Sequence, residues 1–149
     1  MKTFVIFLLF TCLTFSIKAQ TTNTTDSTTA GNSLSHAKKN QQLILWTSGD
    51  REAALKMVFM YSYNCKKYGW MDNVRLLIWG PSGKLLTEDL ELQGRLNDLK
   101  KMGVELYACK ACADLYGISD KLTELGITVV YTGQMLADLQ KAGWFILSI

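Results

Sequence analysis

The chain holds one histidine, His36, and one proline, Pro81. His36 lies in a polar stretch ahead of the first apolar run, so a Cys–His dyad, a Ser-His-Asp triad and a histidine-ligated metal all lack their imidazole in the folded part. There is no GxGxxG and no GxxxxGK[ST], so a nucleotide site has no motif behind it. Excess charge is also scarce. Sixteen basic residues face 13 acidic ones, a formal charge of +3. Two of the basic residues, Lys2 and Lys18, belong to a removable N-terminal segment, which leaves 14 against 13. That balance argues against an electrostatic nucleic-acid binder. No apolar run reaches the length that spans a bilayer comfortably.

Residues 1–19 have the layout of a signal peptide: Lys2, an apolar run from Phe4 to Leu13, and a weakly polar end with small Ala19 before Gln20. Ile17 is larger than the residue usually found three before the cut. Cys12 lacks the small residues that precede a lipoprotein cysteine. The expectation is export to the periplasm or beyond, with no stable membrane anchor once the segment is cleaved; an uncleaved anchor is the alternative. Residues 20–41, rich in Thr, Ser and Asn, cannot bury a core and read as a flexible tether. Asn23-Thr24-Thr25 matches a glycosylation sequon, a weak signal.

The remaining residues, 42–149, are enough for one domain. Leu43 to Thr47 is a continuous apolar run, as a parallel strand covered on both faces requires. Further strands are read at Val74 to Trp79, Val104 to Ala108, Ile127 to Tyr131 and Trp144 to Ile149. Helices are read at Arg51 to Tyr68, Leu85 to Met102, Cys109 to Tyr116, a short turn capped by Ser119, and Gln134 to Lys141. In the first helix Ala54, Leu55, Val58, Phe59, Ser62 and Cys65 recur at spacings of three and four, which makes Cys65 packing. Met57, Phe59, Met60 and Tyr61 extend its apolar surface beyond one stripe, a sign of burial on several sides or against another subunit. Alternating strand and helix predicts a parallel sheet with right-handed crossovers.

Three cysteines remain beyond residue 19: Cys65, Cys109 and Cys112. Cys109 ends a predicted strand and Cys112 follows in the next helical turn. The carboxyl end of a strand is where open α/β sheets present reactive groups, and the helix start favours thiolate. Lys110 between them adds positive charge. The plain alternative is that both thiols are inert packing. As chemistry, the pair reads as a persulfide carrier on Cys109, as a dithiol redox couple, or as half of a zinc set needing Asp114 or another subunit. No cofactor and no resident metal are expected.

Two more loops fall at the same sheet edge, Ser48-Gly49-Asp50 and Gly80-Pro81-Ser82-Gly83, so Ser48, Gly49, Asp50, Pro81 and Ser82 are candidate pocket residues. For Ser48 and Asp50 the competing role is turn and helix cap. Trp46, Trp79 and Tyr131 come near strand ends, as pocket walls or as core.

The blocks Leu45-Trp46-Thr47-Ser48-Gly49-Asp50, Met57-Val58-Phe59-Met60-Tyr61, Ile78-Trp79-Gly80-Pro81-Ser82, and Gly103-Val104 leading to Ala108-Cys109-Lys110-Ala111-Cys112-Ala113-Asp114-Leu115-Tyr116-Gly117-Ile118 resemble the DsrE/DsrF-like family of small sulfur-relay proteins. The last block is the most specific, with a cysteine eight residues before Gly-Ile. The resemblance maps the family's sulfur-carrying cysteine onto Cys109; Cys112 stands where many relatives have another small residue. It implies a single-domain α/β fold, flavodoxin-like or doubly wound, with a mostly parallel five-stranded sheet and helices on both faces. It also implies homo- or hetero-oligomers, often trimers or hexamers, and persulfide transfer with donor and acceptor proteins.

Overall fold

A computed structural model describes residues 40–149. The expected signal segment, nearly all of the tether, Cys12 and His36 lie outside the described residues. Five strands form one all-parallel sheet: β1 (Gln41–Trp46), β2 (Asn73–Ile78), β3 (Glu105–Cys109), β4 (Thr128–Val130) and β5 (Phe145–Ser148). Their order across the sheet is β4-β3-β2-β1-β5. β1 starts at Gln41, one residue ahead of the expected domain start.

The helix after β1, α1, covers 51–67. It opens at Arg51–Ala53, widens into a π-helical stretch at Ala54–Phe59 and returns to α geometry at Met60–Lys67. The apolar spacing does its work through this irregularity: Ala54, Val58, Phe59, Ser62 and Cys65 are all buried. The second helix departs from expectation. It begins at Pro81 rather than Leu85 and divides into α2 (Pro81–Glu88) and α3 (Leu90–Lys101). Proline suits the first helical position because its missing N–H has no partner there anyway. Asp89 makes the break: its backbone is extended, and its carboxylate accepts from the N–H groups of Glu91 (2.9 Å) and Leu92 (3.0 Å). Gly94, the expected weak point, sits inside α3 without breaking it. The last helices are α4 (Lys110–Tyr116), α5 (Ser119–Glu124) and α6 (Thr132–Lys141). Ser119 does not cap α5; its hydroxyl donates to Asp114 at 2.6 Å.

Side chains alternate across the strands, and the two faces are covered unequally. Ile44, Trp46, Val74, Leu76, Ile78, Leu106 and Ala108 join Val58, Phe59, Leu86, Leu96, Leu99 and Leu122 in the larger core. Leu43, Leu77 and Leu139 centre a smaller one, with Leu45, Trp79, Tyr107, Met135 and Trp144 packed around them. Thus α1 to α5 lie on one face and α6 on the other. Topology accounts for the split. The chain steps in one direction from β1 to β4, then returns past β1 to place β5. With crossovers of one hand, reversing direction moves the connecting helix to the opposite face.

Candidate functional site

The carboxyl ends of β1, β2 and β3 bring the three predicted loops together. An added Cβ on Gly49 would stand 3.4 Å from the Pro81 Cβ, so the first two loops touch. The Gly80 backbone N–H reaches the Cys112 thiol, which joins the second loop to the third. Gly80 has φ 68 and ψ −132, a conformation open to glycine and strained for other residues.

Within that cluster the oxygen-bearing side chains hold the scaffold. Asp50 caps α1, accepting from the Ala53 N–H at 2.7 Å, and Ser48 Oγ accepts from the Asp50 N–H at 3.0 Å. Ser82 is fully buried; its hydroxyl donates to the Trp46 carbonyl at 2.7 Å and accepts from the Trp79 N–H at 3.0 Å, pinning the ends of β1 and β2. Trp46 is wholly buried, edge-on to Phe59 at 5.4 Å. Trp79 packs in the smaller core, and Tyr131 is 69% exposed.

Cys109 is the last residue of β3 and the N-cap of α4. Two residues beyond Tyr107, it shares the face of the smaller core, where α6 begins at Thr132. Cys109 is 5% exposed. Burial alone pushes the Cys109 thiol up. The Thr132 hydroxyl, the Cys112 N–H and thiol, and the Ala111 N–H outweigh burial and bring the thiol below its ordinary value. Thr132 Oγ1 is buried without a hydrogen-bond partner among the described residues, and Thr132 is the foremost influence that lowers the Cys109 thiol. Cys112 goes the other way. Burial and the neighbouring Cys109 sulfur raise its thiol, against the Gly80 N–H. The pair is therefore split into a thiolate-prone Cys109 and a proton-holding Cys112. Both are free thiols, as is buried Cys65.

Lys110 lies close by in sequence, but its charge is matched elsewhere. Its Nζ stands 2.6 Å from the Asp114 carboxylate and 5.9 Å from the Tyr131 ring centre. Asp114 is held below its usual range by Lys110 and Ser119. Thr132 is the residue that sequence reading passed over. Position gave the only signal for it: it stands at the end of the fourth strand, at the same edge as Cys109. Among the described residues no three His, Cys, Asp or Glu side chains gather as a metal site. An open groove of about 800 Å³ lies apart from the thiols, between α1 and α3, over Phe59 and Met60.

The comparisons with known proteins agree with this fold. The chain superposes on a conserved protein of unknown function from Bacteroides thetaiotaomicron with a TM-score of 0.72 and 34% identity, covering 74% of this chain and 95% of that one. It superposes on the ychN protein of E. coli with a TM-score of 0.60 at 17% identity, covering 74% and 99%. For a protein of unknown function from Methanobacterium thermoautotrophicum the TM-score is 0.58 at 22% identity, covering 73% and 99%. No curated protein matches the chain. Residues 43–149 match the model of the DsrE/DsrF-like family, and the chain belongs to that family.

Proposed function

We propose that this protein is an exported sulfur-relay protein that carries a persulfide on Cys109. The observation that carries the reading is the placement of Cys109, a buried thiol at the end of β3 and the N-cap of α4, where its surroundings lower it below its ordinary value. A thiolate is the form that takes sulfur from a donor, and a persulfide anion needs the same surroundings. The transfer is a simple exchange. Cys109 thiolate attacks the outer sulfur of a donor persulfide, the donor leaves as thiolate, and the new S–S bond stays on Cys109.

Exposed apolar side chains beside the thiols fit protein partners as donor and acceptor. Leu115 is 87% exposed, and Tyr116 and Tyr131 are exposed with it. Cys112, Leu115 and Tyr116 fall three and four residues apart, on one stripe of α4. Self-association belongs to the same reading, since Met57 and Met60 project outward from α1. A second reading, a dithiol oxidoreductase, draws on the contact between Cys109 and Cys112.

Intact-mass measurement after inorganic polysulfide treatment separates the two. Trapped on ice within seconds of loading, the carrier gains one sulfur, about 32 Da, in wild type and in Cys112→Ser, and gains nothing in Cys109→Ser. A dithiol couple needs both cysteines equally. Equal sulfur loading in wild type and Cys109→Ser contradicts the carrier reading.

A further inference from the structure

Persulfide loading on Cys109 leaves Cys112 with a task. Cys109 is the N-cap of α4 and Cys112 its third residue. Residues three apart at a helix start stand as neighbours on one side of the turn, the spacing a CxxC pair uses. Here both positions carry free thiols, and each thiol shifts the titration of the other. Cys109 is almost wholly buried, whereas Cys112 is partly exposed and sits under the Gly80 N–H. A sulfur added to Cys109 therefore has an internal thiol within reach of the bond that holds it.

We infer that Cys112 is a resolving thiol, which discharges the Cys109 persulfide as sulfide and closes a Cys109–Cys112 disulfide. The inference rests on Cys109 carrying the sulfur. Cys112 loses its proton and attacks Cys109 Sγ. The bond from Cys109 Sγ to the outer sulfur breaks, and the Cys109–Cys112 bond forms. The outer sulfur leaves with the electron pair and its own hydrogen as hydrosulfide, and takes up the proton lost from Cys112 to become hydrogen sulfide. The sulfane sulfur is reduced, and the Cys112 thiol is oxidised to one half of the disulfide. No outside oxidant enters. A dithiol reductant later opens the ring, becoming a disulfide itself and restoring both thiols.

This gives the site two exits. A partner that takes the outer sulfur before Cys112 attacks receives persulfide sulfur, and the protein returns as two free thiols. Without such a partner the sulfur leaves as sulfide and the protein is left oxidised. A carrier with a lone cysteine has no internal thiol for the second exit.

The test uses the described domain's full chain, reduced and handled without oxygen. Wild type, Cys112→Ser and Cys112→Ala are loaded on ice with one equivalent of inorganic polysulfide, desalted and warmed. Sulfide release and intact mass are followed together. Wild type should release about one sulfide for each sulfur loaded and end two hydrogens lighter than the reduced protein, as disulfide formation requires. Both Cys112 variants should keep the added sulfur, with release at least ten-fold slower. Release from the variants at the wild-type rate overturns the resolving role while leaving Cys109 as a carrier. So does wild type that keeps its added sulfur without losing hydrogens. Failure of both Cys112 variants to load any sulfur overturns the carrier reading and the resolving role together.

Discussion

Thr132, the first residue of α6, keeps a buried hydroxyl free of any partner among the described residues and lowers the thiol of Cys109, the last residue of β3. The two come from adjacent layers, the sheet and, among the described residues, the one helix of the smaller core. Removing the hydroxyl should weaken the thiolate. A hydrogen bond to a charged group contributes about 1.5 kcal/mol or more, and about 1.4 kcal/mol is ten-fold. Thr132→Val should therefore slow alkylation of Cys109 at neutral pH roughly ten-fold, and Thr132→Ser should restore most of it. Unchanged rates in Thr132→Val contradict this placement of the hydroxyl.

Alkylation should also be ordered by pH. Cys109 lies below the usual thiol range and Cys112 above it. Cys109 should be labelled first at pH 7, with Cys112 following only on the alkaline side. Peptide-resolved labelling between pH 5 and pH 10 reads the order. The reverse order contradicts the split between the two thiols.

Much of this site was legible in sequence, and the misses have causes. The CxxC at the end of a strand, with glycine closing the helix, located Cys109 and Cys112. β1 and β2 were readable because runs such as Leu43-Ile44-Leu45-Trp46 are largely buried on both faces, whereas β4 and β5 are only half-buried. The break at Asp89 went unread because a capping aspartate inside a leucine-rich stretch looks like an exposed helical residue until its N–H partners are seen. The loop at Pro81 was in fact a helix start. Thr132 carries no motif at all; only the return of the chain to the other sheet face sets it against a sulfur more than 20 residues earlier. Ser82 looked like a pocket residue from the glycines around it, yet its hydroxyl is wholly occupied by backbone.

That occupation makes Ser82 a stability residue. Ser82→Ala leaves the Trp79 N–H and the Trp46 carbonyl with one partner fewer in a buried place. The expected cost is about 1–2 kcal/mol in urea unfolding. Alkylation of Cys109 in the folded protein should stay within about two-fold, well under the ten-fold that about 1.4 kcal/mol gives. A stable variant with a dead thiol contradicts the scaffold role.

Alkali should destabilise the fold through Cys65. Burial raises its thiol, against the Tyr61 hydroxyl. A thiol raised on folding contributes stability that is present below the unfolded value and lost as pH climbs through the folded one. Tyr61 and Tyr107, also raised by burial, act in the same direction. Urea midpoints should fall from pH 8 to pH 10.5, and Cys65→Ala, although less stable at pH 7, should fall less steeply. Parallel curves contradict the buried neutral thiol.

Lys110 should matter little to the thiolate. Its charge faces Asp114 on an exposed helix turn, where such pairs contribute under about 1 kcal/mol. Lys110→Met should change Cys109 alkylation by less than about three-fold, since about 1.4 kcal/mol would be needed for ten-fold. A ten-fold loss places the lysine on the sulfur instead.

The most direct measurement locates the added sulfur on the chain. Trypsin cuts after Lys110, between the two cysteines, so Cys109 falls in the peptide 102–110 and Cys112 in 111–121. Wild type and Cys112→Ser are loaded with polysulfide, trapped by alkylation within seconds and digested. The added sulfur should sit in 102–110 in both proteins. Sulfur found in 111–121 or with Cys65, or none in 102–110, contradicts a persulfide carried on Cys109.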